Sequence, residues 1–214
     1  MEQFVQDTVR NVPPITRCLL IVSTGLMILT SLELVSPYSL YFDPQAIYGK
    51  KEVWRLVTSV LYFGSLGIQF LWTSYIVLLY CGKLESENYE GDKLKFGWRL
   101  LLIVLGVWTC GTLFPYSLFL SSMFLSTLMY VWSRKNPDVI MNVLLFNVQA
   151  PWLSWVMLGF QYLVGRGVFD HLVGILLGHL VYFLDDIYPT MPASSGKKPL
   201  DPPLWVRAFF TRET

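Results

Sequence analysis

The sequence predicts an all-α membrane protein, a bundle of six transmembrane helices with both termini on the cytosolic side. Three observations carry that expectation. The composition is 54% apolar and 16% aromatic with only 14% charged residues, whereas soluble domains hold about a quarter charged. Charged residues cut the chain into long apolar runs at 18–32, 56–82, 100–133, 139–165 and 171–184. The basic residues, finally, sort by side once six spans are drawn. Lys and Arg number 16 against 15 Asp and Glu, so net charge makes no case for nucleic-acid binding.

Residues 1–14 form an N-terminal segment in which Phe4, Val5, Val9 and Val12 oppose Gln3, Gln6, Asp7 and Arg10. That pattern suits either a short helix lying in the membrane interface or a frayed tail, interrupted by Pro13-Pro14. Its acidic side chains and missing apolar stretch do not fit a cleavable signal peptide, so the first span, 15–34, is expected to do its own targeting. The connection 35–65 is rich in Tyr, Phe and Trp with few charges, which places it at headgroup depth on the non-cytosolic side. The second span follows at 66–82. The run 100–133 is too long for one crossing of about 20 residues, and "TLFPYS" with Pro115 divides it into spans 97–114 and 116–133. Spans at 139–160 and 170–187 complete a membrane domain over 15–188. From 189 to 214 the chain is a cytosolic tail, with five Pro between Pro189 and Pro203.

Six spans put twelve of the sixteen basic residues on the side of the termini: Arg10, Arg17, Lys83, Lys93, Lys95, Arg99, Arg134, Lys135, Lys197, Lys198, Arg207 and Arg212. Lys50, Lys51, Arg55 and Arg166 fall on the other. Reading 100–133 as one span would put Arg134-Lys135 opposite the basic 83–99 loop and weaken the asymmetry. The charge-free runs 18–32 and 171–184 are short for a bilayer core of about 30 Å. Snorkelling of the flanking charges, tilting of neighbours, or local thinning of the bilayer would each relieve that mismatch.

Ionisable groups inside spans are functional candidates by default, and His171 and His179 are the two to weigh. His171 follows Asp170 at the start of the last helix and is expected at the interface. His179 follows Gly174-xxx-Gly178, a small-residue pair that permits close helix packing, and a neighbouring hydroxyl would satisfy a neutral imidazole there. Cys18, Cys81 and Cys110 have no paired spacing and read as small packing residues, so neither a disulfide framework nor a metal site is expected. No phosphate-binding loop or HExxH motif is present, so no cofactor is implied. Asp185 and Asp186 oppose the dipole at a helix C-terminus, which calls for solvation, a partner, or pairing with a basic loop.

Several segments carry a resemblance: "NVPPITR" at 11–17, "VWRLVTSVLYFG" at 53–64, "YVWSRKNPDVIMNVLLF" at 130–146, "APWLSWVMLGFQYLVG" at 150–165 and "GHLVYFLDDIYP" at 178–189. With a Trp54-Arg55 pair in the first non-cytosolic loop and GxxxGH in the last helix, the chain resembles the rhomboid-like superfamily and, within it, is similar to the derlins. Active rhomboids pair a histidine of the sixth helix with a serine in Gly-x-Ser-Gly at the start of the fourth. Here that helix opens "FPYSLFLSSMFLS" without the glycines. The resemblance therefore implies a pseudoenzyme with no catalytic residues and His179 as an inherited polar packing group.

The resemblance also implies a multi-pass protein of the endoplasmic-reticulum membrane that binds misfolded proteins. It would assist their retrotranslocation to the cytosol for ubiquitination and proteasomal degradation, through a lateral opening and local membrane thinning. The implied partners are a membrane ubiquitin-ligase complex and a cytosolic AAA ATPase. The tail ends at "WVRAFFTRET" without the ATPase-binding motif of some derlins, so that ATPase is expected to be recruited indirectly. Trp54 would anchor the first loop and Arg55 hold headgroups or loop carbonyls, unless the pair simply folds the loop. Ser121, Ser122, Gln161 and His179 are the candidate cavity and substrate contacts. Two other classes remain: an active intramembrane serine protease, and a small-solute transporter, for which paired broken spans or buried midplane charges would be expected.

Overall fold

Prolines mark three of the helix starts. The computed structural model describes residues 12–89, 92–114, 117–143, 146–165, 167–192, 198–204 and 206–207, so most of the predicted 1–14 segment lies outside the described residues. Pro14 opens α1 (Pro14–Ser31), Pro44 opens α2 (Pro44–Lys50), and Pro151 sits in the first turn of α7 (Ala150–Leu163). A missing N–H costs nothing in a first turn, and the fixed φ of proline is already helical. Between them come α3 (Trp54–Leu61), α4 (Ile68–Ile76, running on through wider turns at Val77–Cys81 and Leu84–Asn88), α5 (Lys93–Leu113) and α6 (Ser121–Lys135). The last helix is α8 (Phe169–Tyr182), which continues through Phe183–Ile187 and Tyr188–Thr190.

The protein is a mostly helical membrane protein. Pro14–Ser31, Lys93–Leu113 and Phe169–Thr190 are long and apolar enough to cross a bilayer. Helix α6 is central, with Phe124, Met123 and Trp132 fully enclosed and buried residues on all its faces. A helix buried all round carries apolar and small residues all round, and α6 does. The flanking helices turn large apolar side chains outward, among them Ile21 on α1, Leu105 on α5, Trp152 on α7 and Leu176 on α8. Serine and threonine meanwhile face inward (Thr16, Ser23, Ser126, Thr127, Ser154). Apolar outside and hydroxyl inside is the arrangement expected when the solvent is lipid.

The sequence expectation fails at 139–149, where a helical span was predicted and the chain forms a hairpin, β1 (Ile140–Val143) against β2 (Phe146–Gln149). The strands are antiparallel, with Ile140 opposite Gln149 and Asn142 opposite Asn147. Pro137 on one side and Pro151 on the other disfavour helix continuing into this stretch. Val139, Ile140, Val143 and Val148 supply β-branched residues, and Asn142 donates to Asn147 across the strands at 3.2 Å. Periodicity alone could not separate this apolar run from the helix that follows.

The short helices are also not those expected from charge-free runs. The last helix spans 22 residues to Thr190, whereas α6 has 15 and α7 has 14. Asp185 and Asp186 do not end the last helix because both are neutralised. Asp185 pairs with Arg99 of α5 and, at 2.9 Å, with Lys135 of α6, while Asp186 lies 2.8 Å from Lys135. Tyr89 donates to Asp185 at 3.0 Å. Burial, and then the Asp185 carboxylate, push the Tyr89 hydroxyl well above its ordinary range. Among the described tail residues, Leu200 places its carbonyl 2.9 Å from Arg99 Nη1, and Val206 is buried. That part of the tail packs back on the helices.

The start of α1 has an unexpected cap. Pro13 offers no side-chain acceptor, and Glu85 on α4 takes that role: Oε1 accepts the Ile15 N–H at 2.9 Å, and Oε2 accepts the Thr16 N–H and hydroxyl, each at 2.8 Å. A carboxylate at a helix N-terminus satisfies orphan donors and complements the dipole. Here it comes from another helix, 69 residues away in sequence.

Candidate functional site

Gly174 and Gly178 set the site by letting α8 lie directly on α6. A Cβ at Gly174 would stand 2.5 Å from the Met123 carbonyl oxygen and 2.8 Å from Ser126 Cβ; one at Gly178 would stand 2.9 Å from Tyr130 Cβ. Thr127 Oγ1 spans the contact, 2.9 Å from both the Met123 and the Gly174 carbonyls. Such close approach brings the two histidines of α8 against different partners on α6. His171 meets Ser126, Oγ to Nδ1 at 2.7 Å. His179 meets the Tyr130 hydroxyl, 2.8 Å from Nδ1, and that hydroxyl also accepts from Arg134 Nε at 3.1 Å.

A cavity of about 270 Å³ opens on the His171 side. Gln69, Trp72, Thr73 and Ile76 of α4 form one wall and Met157 and Gln161 of α7 the facing wall. Ser122, Leu125, Ser126 and Met129 of α6 line it with Gly167, Asp170 and His171 at the start of α8. Asp170, in the first turn of α8, accepts a hydrogen bond from Ser117. The pocket thus joins hydroxyl, amide, imidazole and carboxylate groups inside a chain whose outer surface is apolar.

Of the predicted cavity residues, Ser122 and Gln161 line the pocket. Ser121 and His179 are not among its lining residues. Ser121 is buried at the first residue of α6, one position round from the pocket-facing stripe. His179 lies eight residues beyond His171, about 12 Å along the axis, and is turned to Tyr130 and the outer surface. His171, expected at the interface, is the histidine that lines the pocket. The missed signal was spacing: His171, Gly174 and Gly178 fall at i, i+3 and i+7, one face of a helix, and Ser122, Ser126 and Met129 share a face of α6 at i, i+4 and i+7. The glycine face that packs on α6 therefore has to carry His171 with it.

Ser126 and His171 have the separation of a nucleophile and its base, but the setting differs from a hydrolytic centre. Ser126 is 3% exposed and lies within α6, where the surrounding backbone N–H groups are bonded inside the helix. No backbone oxyanion site adjoins it among the described residues, and the polar donors that line the pocket with it are the side chains of Gln69, Thr73, Ser122 and Gln161. No group of three or more His, Cys, Asp or Glu is arranged to hold a metal among the described residues. The three cysteines are free, Cys81 buried and Cys18 exposed.

Away from the pocket, Arg55 ties up the first large loop. It is 8% exposed; Nε lies 2.5 Å from Glu52, Nη1 donates to the carbonyls of Tyr38 at 3.1 Å and Tyr41 at 3.0 Å, and the guanidinium stacks 4.8 Å from the Tyr41 ring centre. Arg55 thus holds loop carbonyls. Trp54 stays about half exposed, with Nε1 3.3 Å from the Ser39 carbonyl.

The model of the Der1-like family matches residues 12–204. Among curated proteins the chain is similar to Derlin-2.2 of Zea mays and Derlin-2 of Oryza sativa subsp. japonica. Each is 37% identical, over 98% of this chain and 88% of the relative. It is 34% identical to Derlin-2.1 of Arabidopsis thaliana over 100% of this chain and 91% of that protein. The matched residues run from the Glu85-capped start of α1, through the glycine-packed helices and the pocket between them, to the docked tail, and this chain belongs to the Der1-like family, the derlins.

Proposed function

We propose that this chain is a rhomboid pseudoprotease of the endoplasmic-reticulum membrane. On this reading it spans the bilayer six times with cytosolic termini, binds misfolded proteins and assists their retrotranslocation for ubiquitination and proteasomal degradation. The observation that supports the reading best is the polar pocket walled by α4 and α7, in a family member with an otherwise apolar outer surface. An unsatisfied peptide group costs several kcal/mol in hydrocarbon, and serine, glutamine and imidazole groups between two helices lower that cost for a client segment entering sideways. Helices α6 and α7, at 15 and 14 residues, reach roughly 21–23 Å, short of a bilayer core of about 30 Å. Thinning of the bilayer beside them would shorten the client's path. A membrane ubiquitin-ligase complex is the proposed partner, with the AAA ATPase recruited through it.

The test pairs purification in mild detergent, followed by mass spectrometry of co-eluting proteins, with turnover of a misfolded reporter in cells. Co-elution with a ligase complex and slower turnover for Gln161→Leu and Ser122→Leu are expected. Unchanged turnover in a pocket-filled variant that still folds sinks the pocket as the client site.

The 2.7 Å contact of Ser126 and His171 favours one second reading, a serine hydrolase. Fluorophosphonate labelling decides it. The pseudoprotease reading expects no labelling, and labelling lost in both Ser126→Ala and His171→Ala overturns it.

A further inference from the structure

Asp170 is the sole carboxylate among the described residues that line the pocket, and His171, the other titratable group there, is bonded to Ser126. Among the described residues Asp170 has no cationic partner. Its one hydrogen bond comes from the neutral Ser117 hydroxyl, to Oδ1. This distinguishes it from Asp185 and Asp186, both neutralised at the other end of the same helix. A carboxylate that faces a cavity in an apolar surrounding, compensated among the described residues only by a hydroxyl and the start of its own helix, keeps a net negative charge that draws in a cation.

From this geometry we infer that the pocket selects client transmembrane segments bearing a lysine or arginine; the inference rests on the pocket being the client site. The ammonium or guanidinium pairs with Asp170, while Ser122, Gln69 and Gln161 replace part of its hydration shell. A cation on an isolated apolar helix is poorly tolerated by lipid, so a segment of this kind gains more from the pocket than a wholly apolar one. Asp170 is the second residue of α8, level with the first turns of α4 and the last turns of α7. The matching client position is therefore in the luminal third of its span, within the reach of a lysine stem.

The experiment uses the full chain in lipid nanodiscs with a photo-cross-linking residue in place of Trp72. The probes are Leu/Ala transmembrane peptides identical but for Lys, Gln, Leu or Asp at one luminal-third position. The Lys peptide is expected to cross-link about five-fold more than the Gln or Leu peptide, the range of one solvent-accessible ion pair, and the Asp peptide least. Asp170→Asn should bring Lys down to the Gln level and Asp170→Glu should restore the preference. Equal cross-linking of all four peptides to the unsubstituted pocket overturns charge selection but leaves the client site standing. No cross-link from any peptide removes the client site as well. The peptide comparison needs no variant at Asp170, so a folding defect in Asp170→Asn cannot mask the answer.

Discussion

Glu85 is the residue whose replacement tests the account of this fold most sharply. It is 1% exposed and accepts three hydrogen bonds from the first turn of α1, from the N–H groups of Ile15 and Thr16 and from the Thr16 hydroxyl. Pro14 has no N–H, and the Arg17 N–H already bonds to the Pro13 carbonyl at 2.9 Å. The two N–H groups that Glu85 takes are therefore the orphan donors of that helix start. Glu85→Ala would leave both buried without an acceptor, at about 1–3 kcal/mol each. The hydroxyl loses less, because it also lies 3.4 Å from Cys81 Sγ. Removal of the carboxylate gives back part of its own desolvation, which brings the expected loss to about 3–5 kcal/mol.

Glu85→Gln keeps one acceptor oxygen in place and presents an amide N–H₂ to donors, so it should lose roughly half as much. The assay is thermal unfolding of the detergent-purified chain followed by tryptophan fluorescence. At about 2–4 °C per kcal/mol for a chain of this size, Glu85→Ala should melt roughly 6–20 °C lower, with Gln between it and the parent. An alanine variant within 2 °C of the parent would refute the cap. A glutamine variant as unstable as alanine would show that repulsion from the amide N–H₂, rather than a lost acceptor, dominates.

Three further outcomes follow from the contacts. Gly174→Val places a side chain where a Cβ already falls 2.5 Å from a backbone oxygen. It should cost about 3 kcal/mol or more by overpacking, while Gly159→Ala, with nothing within 4 Å, should be neutral or slightly stabilising; the same melts compare them. Arg55→Lys replaces a planar fork by a single ammonium, and limited proteolysis should then cut within residues 36–53 far faster than in the parent. Asp185→Asn takes from Arg99 its closest carboxylate and leaves Lys135 with Asp186 alone; their side chains are 5% and 10% exposed, so the loss should approach the roughly 3–5 kcal/mol of a broken buried pair. Asp186→Asn, at a side chain 37% exposed, should fall within about 1 kcal/mol. Equal effects at the two aspartates would contradict the buried assignment of Asp185.

Helix existence was legible wherever apolar length and proline punctuation agreed: Pro14 announces α1, the basic residues around Lys93 announce α5, and the long apolar run 100–133, too long for one crossing, is shared between α5 and α6. What was not legible is set by contacts between distant segments. The charge-free run of the last helix stops at 184 and its predicted span at 187, but the helix continues to Thr190 because Arg99 and Lys135 neutralise its aspartates, and only a folded chain brings those three segments together. The same holds for Glu85, an ordinary loop acid by position and a helix cap by geometry. At the pocket, composition pointed to His179 because it stands alone in an apolar run, yet polarity in such a run says nothing of direction. Direction comes from the glycines: whatever face carries Gly174 and Gly178 must press on α6, and three residues before Gly174 that face carries His171. A helix packed through glycine therefore reveals its inward polar residues by phase rather than by rarity, and here the phase selects Ser126 and His171 for the pocket and leaves His179 to Tyr130.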